Sequence, residues 1–283
     1  MSYKFWNSFI DSWKHSPNIV FAPPGGWSNP NVLLNSNSTP LDYSFQYLPE
    51  PWWGNSGIHP LHSVVINYNP YTGGGNQFHS LCAPNLFGNK DYSSFVDSEV
   101  TGLTSVLSNT NRWHNLRRAQ PVFHALCASG IPTVMPKLEN HLSIELIPWH
   151  TPTPNNPAFY NYISANLQPI FDNSLLFAAN ESRRISNYKL KNKVILRMNE
   201  TNMLNLLNQF KNSGICSYNI LKSGSVPHPF FPPGSGSYCN FEIIHKSFND
   251  IVFVCIWKPK GGWTRNDFPK QPQLNWIFQN IIK

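Results

Sequence analysis

Four polar residues in this 283-residue chain sit at or near the ends of apolar, β-rich runs. Asn69 follows Val64-Val65-Ile66, Glu145 lies among Leu142, Ile144 and Leu146, Asn199 follows Val194-Ile195-Leu196, and Lys258 follows the run from Ile251 to Trp257. Amides, a carboxylate and an amine are the groups that hydrogen-bond the edge of a flat polar ring. None is an obvious covalent nucleophile, and no His, Cys, Asp or Glu spacing matches a metal site. If the runs are parallel strands, their ends share one edge, where open α/β sheets bind ligands. Asn69-Pro70 ends the first run because proline has no N–H to donate. Tyr71 and Gly73, Gly74 and Gly75 then make a turn whose backbone can approach a ligand closely. A strand and a tight loop without chemistry would have the same signature.

The elements that would position these groups alternate. Strands are expected over 63–68, 141–147, 193–198 and 251–257, from β-branched content and period-2 alternation. Helices are expected over 2–16, 92–107, 112–129, 157–180, from about 200 to Gly214, and over 273–282. Asn199 is placed to cap the helix that follows it, and Gly214 to stop that helix. Residues 17–62 and 223–238 read as loops. This order predicts an α/β fold: a three-layer α/β/α sandwich with a central four-stranded parallel sheet and long loop insertions. Residues 1–62 form an N-terminal helix and aromatic loop arm packed on a 63–283 core, a single domain overall. There is no GxGxxG after the first strand and no Walker Gly-Lys-Ser/Thr, which argues against a Rossmann or P-loop nucleotide site.

Charged residues make up 12% of the chain, about half the usual share. The formal charge is +7, which favours a polyanionic partner, nucleic acid first. Arg183, Arg184, Lys189, Lys191 and Lys193 form the densest basic run, suited to phosphates or to a solvated face. The five cysteines are odd in number and widely spaced, matching neither a disulfide framework nor a zinc pattern, so reduced thiols and a cytoplasmic location are expected. No apolar run is long enough to span a bilayer, and no signal-peptide core opens the chain.

The segment Asn67-Tyr68-Asn69-Pro70-Tyr71 resembles the first motif of the uracil-DNA glycosylase superfamily. Ile144-Glu145-Leu146-Ile147-Pro148-Trp149 resembles the second pocket strand, and Val254-Cys255-Ile256-Trp257-Lys258-Pro259-Lys260 the last motif. The three occur in order over roughly residues 60 to 265. The resemblance implies a base flipped from double- or single-stranded DNA, with no cofactor, no membrane and no obligate protein partner. Asn69 would position the water that attacks C1′, and Lys258 would take the place of the histidine that stabilises the departing base. Tyr71 and Glu145 would line the base pocket, with Phe78 and Phe87 as stacking residues by position. Gly73, Gly74, Lys260, Trp263 and Arg265 would meet DNA, with Trp263 as the wedge and Arg183 and Arg184 on phosphates.

Two departures from the family pattern shift the expected base. Glu145 stands where many relatives have an asparagine, and a carboxylate accepts from the amino group of cytosine. Lys258 is a fixed charge where the family has an imidazole. Both favour a cytosine-type base, and one prokaryotic antiviral branch excises hypermodified cytosine from phage DNA. Uracil excision in base repair and a non-catalytic nucleic-acid-binding module are the alternatives. Glu145 as a structural ion-pair partner, Trp263 as a packed loop aromatic and the glycines as phosphate-backbone contacts also stay open. An α/β hydrolase has no Gly-x-Ser-x-Gly to support it.

Overall fold

The computed structural model describes residues 3–15, 23–30, 49–55, 57–68, 91–96, 140–149, 157–186, 189–225, 237–257 and 279–280. They form a mixed α/β structure around one seven-stranded sheet. The strands are β1 (Trp52–Gly54), β2 (Ser63–Asn67), β3 (His141–Glu145), β4 (Lys193–Leu196), β5 (Ser217–Ser225), β6 (Ser237–Ile244) and β7 (Val252–Trp257), in the order β1-β3-β2-β4-β7-β6-β5. β3, β2, β4 and β7 are parallel neighbours, whereas β1, β6 and β5 pair antiparallel.

The sheet is therefore seven-stranded and mixed rather than the expected four-stranded parallel one. The additional strands carry little pattern. β1 is three residues of Trp-Trp-Gly behind a proline, which suggests a loop. β5 is polar and exposed along nearly its whole length, so no buried alternation marks it. β6 is buried continuously from Tyr238 to Phe241, but it adjoins the Gly/Ser/Pro segment that reads as loop.

The helices are α1 (Tyr3–His15), α2 (Pro157–Ala165), α3 (Leu176–Arg183) and α4 (Glu200–Asn212). Residues 92–96 are also helical. α1 buries Trp6, Phe9 and Ile10, while the Tyr3 ring meets Trp52 edge-on at 4.9 Å and Phe177 at 5.2 Å. The 157–180 helix expected from sequence is divided at Asn166, which leaves the helical path and locks onto Ser28: the Ser28 N–H donates to Asn166 Oδ1 (2.7 Å) and Asn166 Nδ2 to Ser28 Oγ (2.6 Å). A π-helical stretch, Ile170–Leu175, then leads into α3.

α4 begins and ends as its sequence dictates. Asn199 Oδ1 accepts the Asn202 N–H at 2.7 Å, and Gly214 beyond the end adopts φ +73°, open to glycine without strain. Its buried stripe is Met203, Leu206, Leu207 and Phe210. Phe210 meets Phe171, Phe171 meets Phe248, and Phe248 meets Phe253, which stacks on Phe241 at 5.2 Å. Val194 and Phe253 are register partners, so this aromatic chain covers the same sheet face as Leu196 and Cys255. Cys239 and Cys255 pair directly across β6 and β7, both fully buried.

The two margins of the sheet differ. β1 is short and buried, and the Tyr92 hydroxyl caps the Trp52 carbonyl at 2.9 Å. β5 is nine residues long, with Ile220 and Leu221 about half exposed and a register shift between Ile220 and Lys222. Among the described residues no helix is long and apolar enough to cross a membrane.

Candidate functional site

Parallel strands buried on both faces ordinarily read as continuous apolar runs. β2 and β3 do so on one face only. Val64, Ile66, Leu142 and Ile144 point to one side; Ser63, Asn67, His141, Ser143 and Glu145 share the other, by strand alternation and by register. All five polar residues are buried. Such groups need partners, because an unpaired polar group in a low-dielectric interior is costly.

The partners define a row across the carboxyl ends of three strands. Asn67 Nδ2 donates to Ser143 Oγ at 2.6 Å, and Arg197 Nη1 donates to Asn67 Oδ1 at 3.4 Å. The backbone N–H of Arg197 donates to the Ile66 carbonyl at 2.8 Å, extending the ladder one residue beyond β4. A guanidinium has donors only, so the amide oxygen must face Arg197 and the amide nitrogen Ser143. Glu145 is the register partner of Asn67 and is 5% exposed. The row thus reads carboxylate, amide, guanidinium, from β3 through β2 to the residue after β4.

At the opposite, amino end of the strands, Ser63 Oγ lies 2.8 Å from His141 Nδ1. A Ser–His contact is half of a hydrolytic pair, but both residues are almost fully buried, and the contact ties β2 to β3. His62 stands beside it, with rings 6.0 Å apart, and burial lowers its pKa.

No protein-family model, curated protein or solved structure matches this chain.

Of the residues expected from sequence, Glu145 stands at the carboxyl edge. Asn69, Tyr71, Gly73, Gly74, Phe78 and Phe87 lie outside the described residues, as do Lys258, Lys260, Trp263 and Arg265. β2 ends two residues before Asn69 and β7 one residue before Lys258. Asn199 is occupied as the α4 cap.

Arg183 and Arg184 are not brought to this edge. They close α3, which leads into the start of β4, at the amino end of the parallel strands. Arg183 forms a forked pair with Asp250 and also donates to the Ser247 carbonyl at 2.9 Å. Arg184 pairs with Glu181 and donates to the Gly57 carbonyl at 3.2 Å. These contacts tie α3 to the segments before β7 and β2. The like-charged sequence run gave no hint of this, because the acids that engage it are distant in sequence or on the same helix.

Three members of the row, Asn67, Ser143 and Arg197, went unassigned in sequence. Asn67 is overshadowed by Asn69 in the same motif. Ser143 reads as an ordinary alternating polar residue. Arg197 sits where the apolar pattern of β4 stops; its signal was only a cation at a strand end, the feature that singled out Lys258. Beside the row, on the opposite face, Tyr68 packs on Phe159 at 5.7 Å, and the Tyr160 hydroxyl donates to Asn202 Oδ1 at 3.4 Å. Burial, with Tyr160 nearby, pushes the Tyr68 phenol far above its ordinary range, so it stays neutral. Among the described residues no cluster of three His, Cys, Asp or Glu side chains is placed to hold a metal.

Proposed function

We propose that this chain is a DNA glycosylase that flips a cytosine-type base into the carboxyl edge of the sheet and hydrolyses its N-glycosidic bond. The observation that carries the reading is the buried row itself. Glu145 stands in register with an amide whose two ends are fixed by Ser143 and Arg197, at the edge where open α/β sheets bind ligands. A buried carboxylate beside an oriented amide and a cation suits a neutral ring with donors and acceptors on its rim. The net charge of +7 and the resemblance of the Asn67–Tyr71 segment to the glycosylase motif support nucleic acid as the source of that ring.

In this reading Asn69 holds the attacking water and Lys258 lowers the cost of charge on the departing base. Water adds its oxygen to C1′ as the C1′–N bond breaks, and the released base leaves with water's proton. The product is an abasic site. Glu145 accepts from the exocyclic amine, which favours cytosine and its hydroxymethylated or glucosylated forms over uracil. Excision of such modified bases from phage DNA as an antiviral defence in a prokaryotic cytoplasm completes the proposal. The three-layer arrangement, with helices on both faces, belongs to this proposal too.

The test is base release from DNA duplexes carrying uracil, cytosine, hydroxymethylcytosine or glucosylated hydroxymethylcytosine, with abasic sites revealed by alkaline strand cleavage. Cleavage at cytosine-type bases that is lost in Asn69→Ala supports the proposal. Cleavage at uracil alone would make the chain a uracil repair enzyme. DNA binding without abasic sites would make it a binding module.

A further inference from the structure

Ser174 bonds differently from other serines in the helical layer. Ser164 Oγ donates to the Tyr160 carbonyl at 3.0 Å and Ser182 Oγ to the Ala179 carbonyl at 2.8 Å, the back-bonding usual for a serine within a helix. Ser174 Oγ leaves its own helix and donates at 2.9 Å to the carbonyl of Leu146, the residue that follows β3. We infer that Ser174 is a positioning residue for base release, which holds the end of β3 that carries Glu145 from the helical layer. This rests on the proposed function and adds to it a residue that touches neither base nor sugar.

The local fold is adapted to this contact. An α-helix lying on a sheet buries positions three and four apart. Between Ile170 and Leu175 the buried residues are Ile170, Phe171 and then three in a row, Asn173, Ser174 and Leu175. Three consecutive residues span about 200° of a regular α-helix, more than the face it turns to a sheet. The turn here is wider: the Leu176 N–H reaches back five residues, to the Phe171 carbonyl. Such π-helical turns are rare and recur at functional sites. The wider turn lets adjacent side chains serve two separate segments. Asn173 Nδ2 donates to the Gly25 carbonyl at 3.2 Å, while Ser174 takes the end of β3.

The bond completes the support of the strand end. The Glu145 N–H donates to the Pro51 carbonyl at 3.0 Å, and the Leu146 N–H to the Asn67 carbonyl at 2.8 Å. Both are bonds to neighbouring strand segments. The ladder toward β2 stops one residue later, with the Ile147 N–H on the Tyr68 carbonyl, because Pro148 has no N–H to donate. Ser174 supplies the restraint from outside the sheet, one residue from Glu145. Ser174 and Leu146 are both fully buried, so bulk water does not take over the bond. Groups that meet a reacting base must be held to a fraction of an ångström, and a shift of about 1 Å costs about 100-fold in rate. Loss of one restraint among several should cost less, about tenfold.

The experiment uses whichever of the four duplexes wild type cleaves fastest. Single-turnover base release, and DNA affinity by fluorescence anisotropy at fixed salt, are measured for wild type, Ser174→Ala and Ser174→Thr. Ser174→Ala should slow release about tenfold with DNA affinity within about twofold, and Ser174→Thr, which keeps the hydroxyl, should recover most of the rate. Release by Ser174→Ala within about twofold of wild type would overturn the inference and leave the glycosylase reading standing. A fall shared by rate and affinity, or one that Ser174→Thr does not reverse, overturns it too. If Ser174→Ala melts below the assay temperature, Ser174→Cys decides, because it keeps the shape and weakens the donor. A fall of at least about threefold at unchanged affinity then supports the inference, and a smaller one overturns it. Wild type inactive on every duplex would end the glycosylase reading and this inference with it.

Discussion

Replacing Ser143 with alanine tests whether the buried row is held together by its hydrogen bonds. Asn67 Nδ2 donates to Ser143 Oγ at 2.6 Å, with the two residues 7% and 6% exposed. Alanine removes the acceptor and leaves a buried amide donor with nothing to replace water. Such an orphan costs about 1–3 kcal/mol, and the short bond and deep burial argue for about 2 kcal/mol. At about 2–4 °C per kcal/mol for a chain of this size, Tm should fall by about 6 °C. Asn67→Val in the same background removes the orphan, so the double variant should lose less than the two singles added together, with a coupling of about 1 kcal/mol. Equilibrium urea unfolding, followed by fluorescence of the chain's ten tryptophans, measures all four states. A Ser143→Ala cost below about 0.5 kcal/mol, or additivity within that margin, would refute a linked row and remove the physical basis for an oriented Asn67.

Other outcomes follow from contacts elsewhere. Asn199→Ala removes the α4 cap and should cost about 1 kcal/mol in the same unfolding assay, with Asn199→Asp near wild type. Burial pushes the thiols of Cys216 and Cys239 up to about 11, and that of Cys255 higher still. Mass spectrometry after iodoacetamide treatment at pH 8 should find these three unmodified until the chain is unfolded. The Arg183 guanidinium holds the Asp250 carboxyl below its usual range. The stability from that pair is therefore present above about pH 4 and lost as pH falls through the lowered value. Because the pair is solvent-screened, Asp250→Asn should cost no more than about 1 kcal/mol at pH 7 and have a smaller effect at pH 3.

What could be read from the sequence depended on whether burial left a periodic trace. Val64-Val65-Ile66, Leu142 with Ile144, Val194-Ile195-Leu196 and the run from Val252 to Ile256 announce strands because buried parallel strands need apolar side chains. Asn199 and Gly214 mark the ends of α4 because capping and left-handed backbone select those residue types. Glu145 stood out by its alternation against Leu142, Ile144 and Leu146. β5 left no trace because an exposed strand makes no demand on its side chains. The link from Ser143 through Asn67 to Arg197 spans residues 76 and 130 positions apart, so no local pattern encodes it. Arg183 shows the same limit, since its partner Asp250 is 67 residues away.

The unequal margins of the sheet have a consequence for how the protein behaves in concentrated solution. At the β1 side any further strand would have to displace buried tryptophans and the Tyr92 cap on Trp52. At the β5 side a row of backbone donors and acceptors faces outward, so growth of the sheet from chain to chain has only one direction among the described strands. Two features stand against it: the irregularity at Ile220/Lys222, which disturbs the template, and the charge of Lys222 on the edge strand, which an added strand would have to accommodate. Colloidal stability at high concentration is thereby concentrated in a few residues that have no part in the core, and it can be lost without any loss of folding free energy.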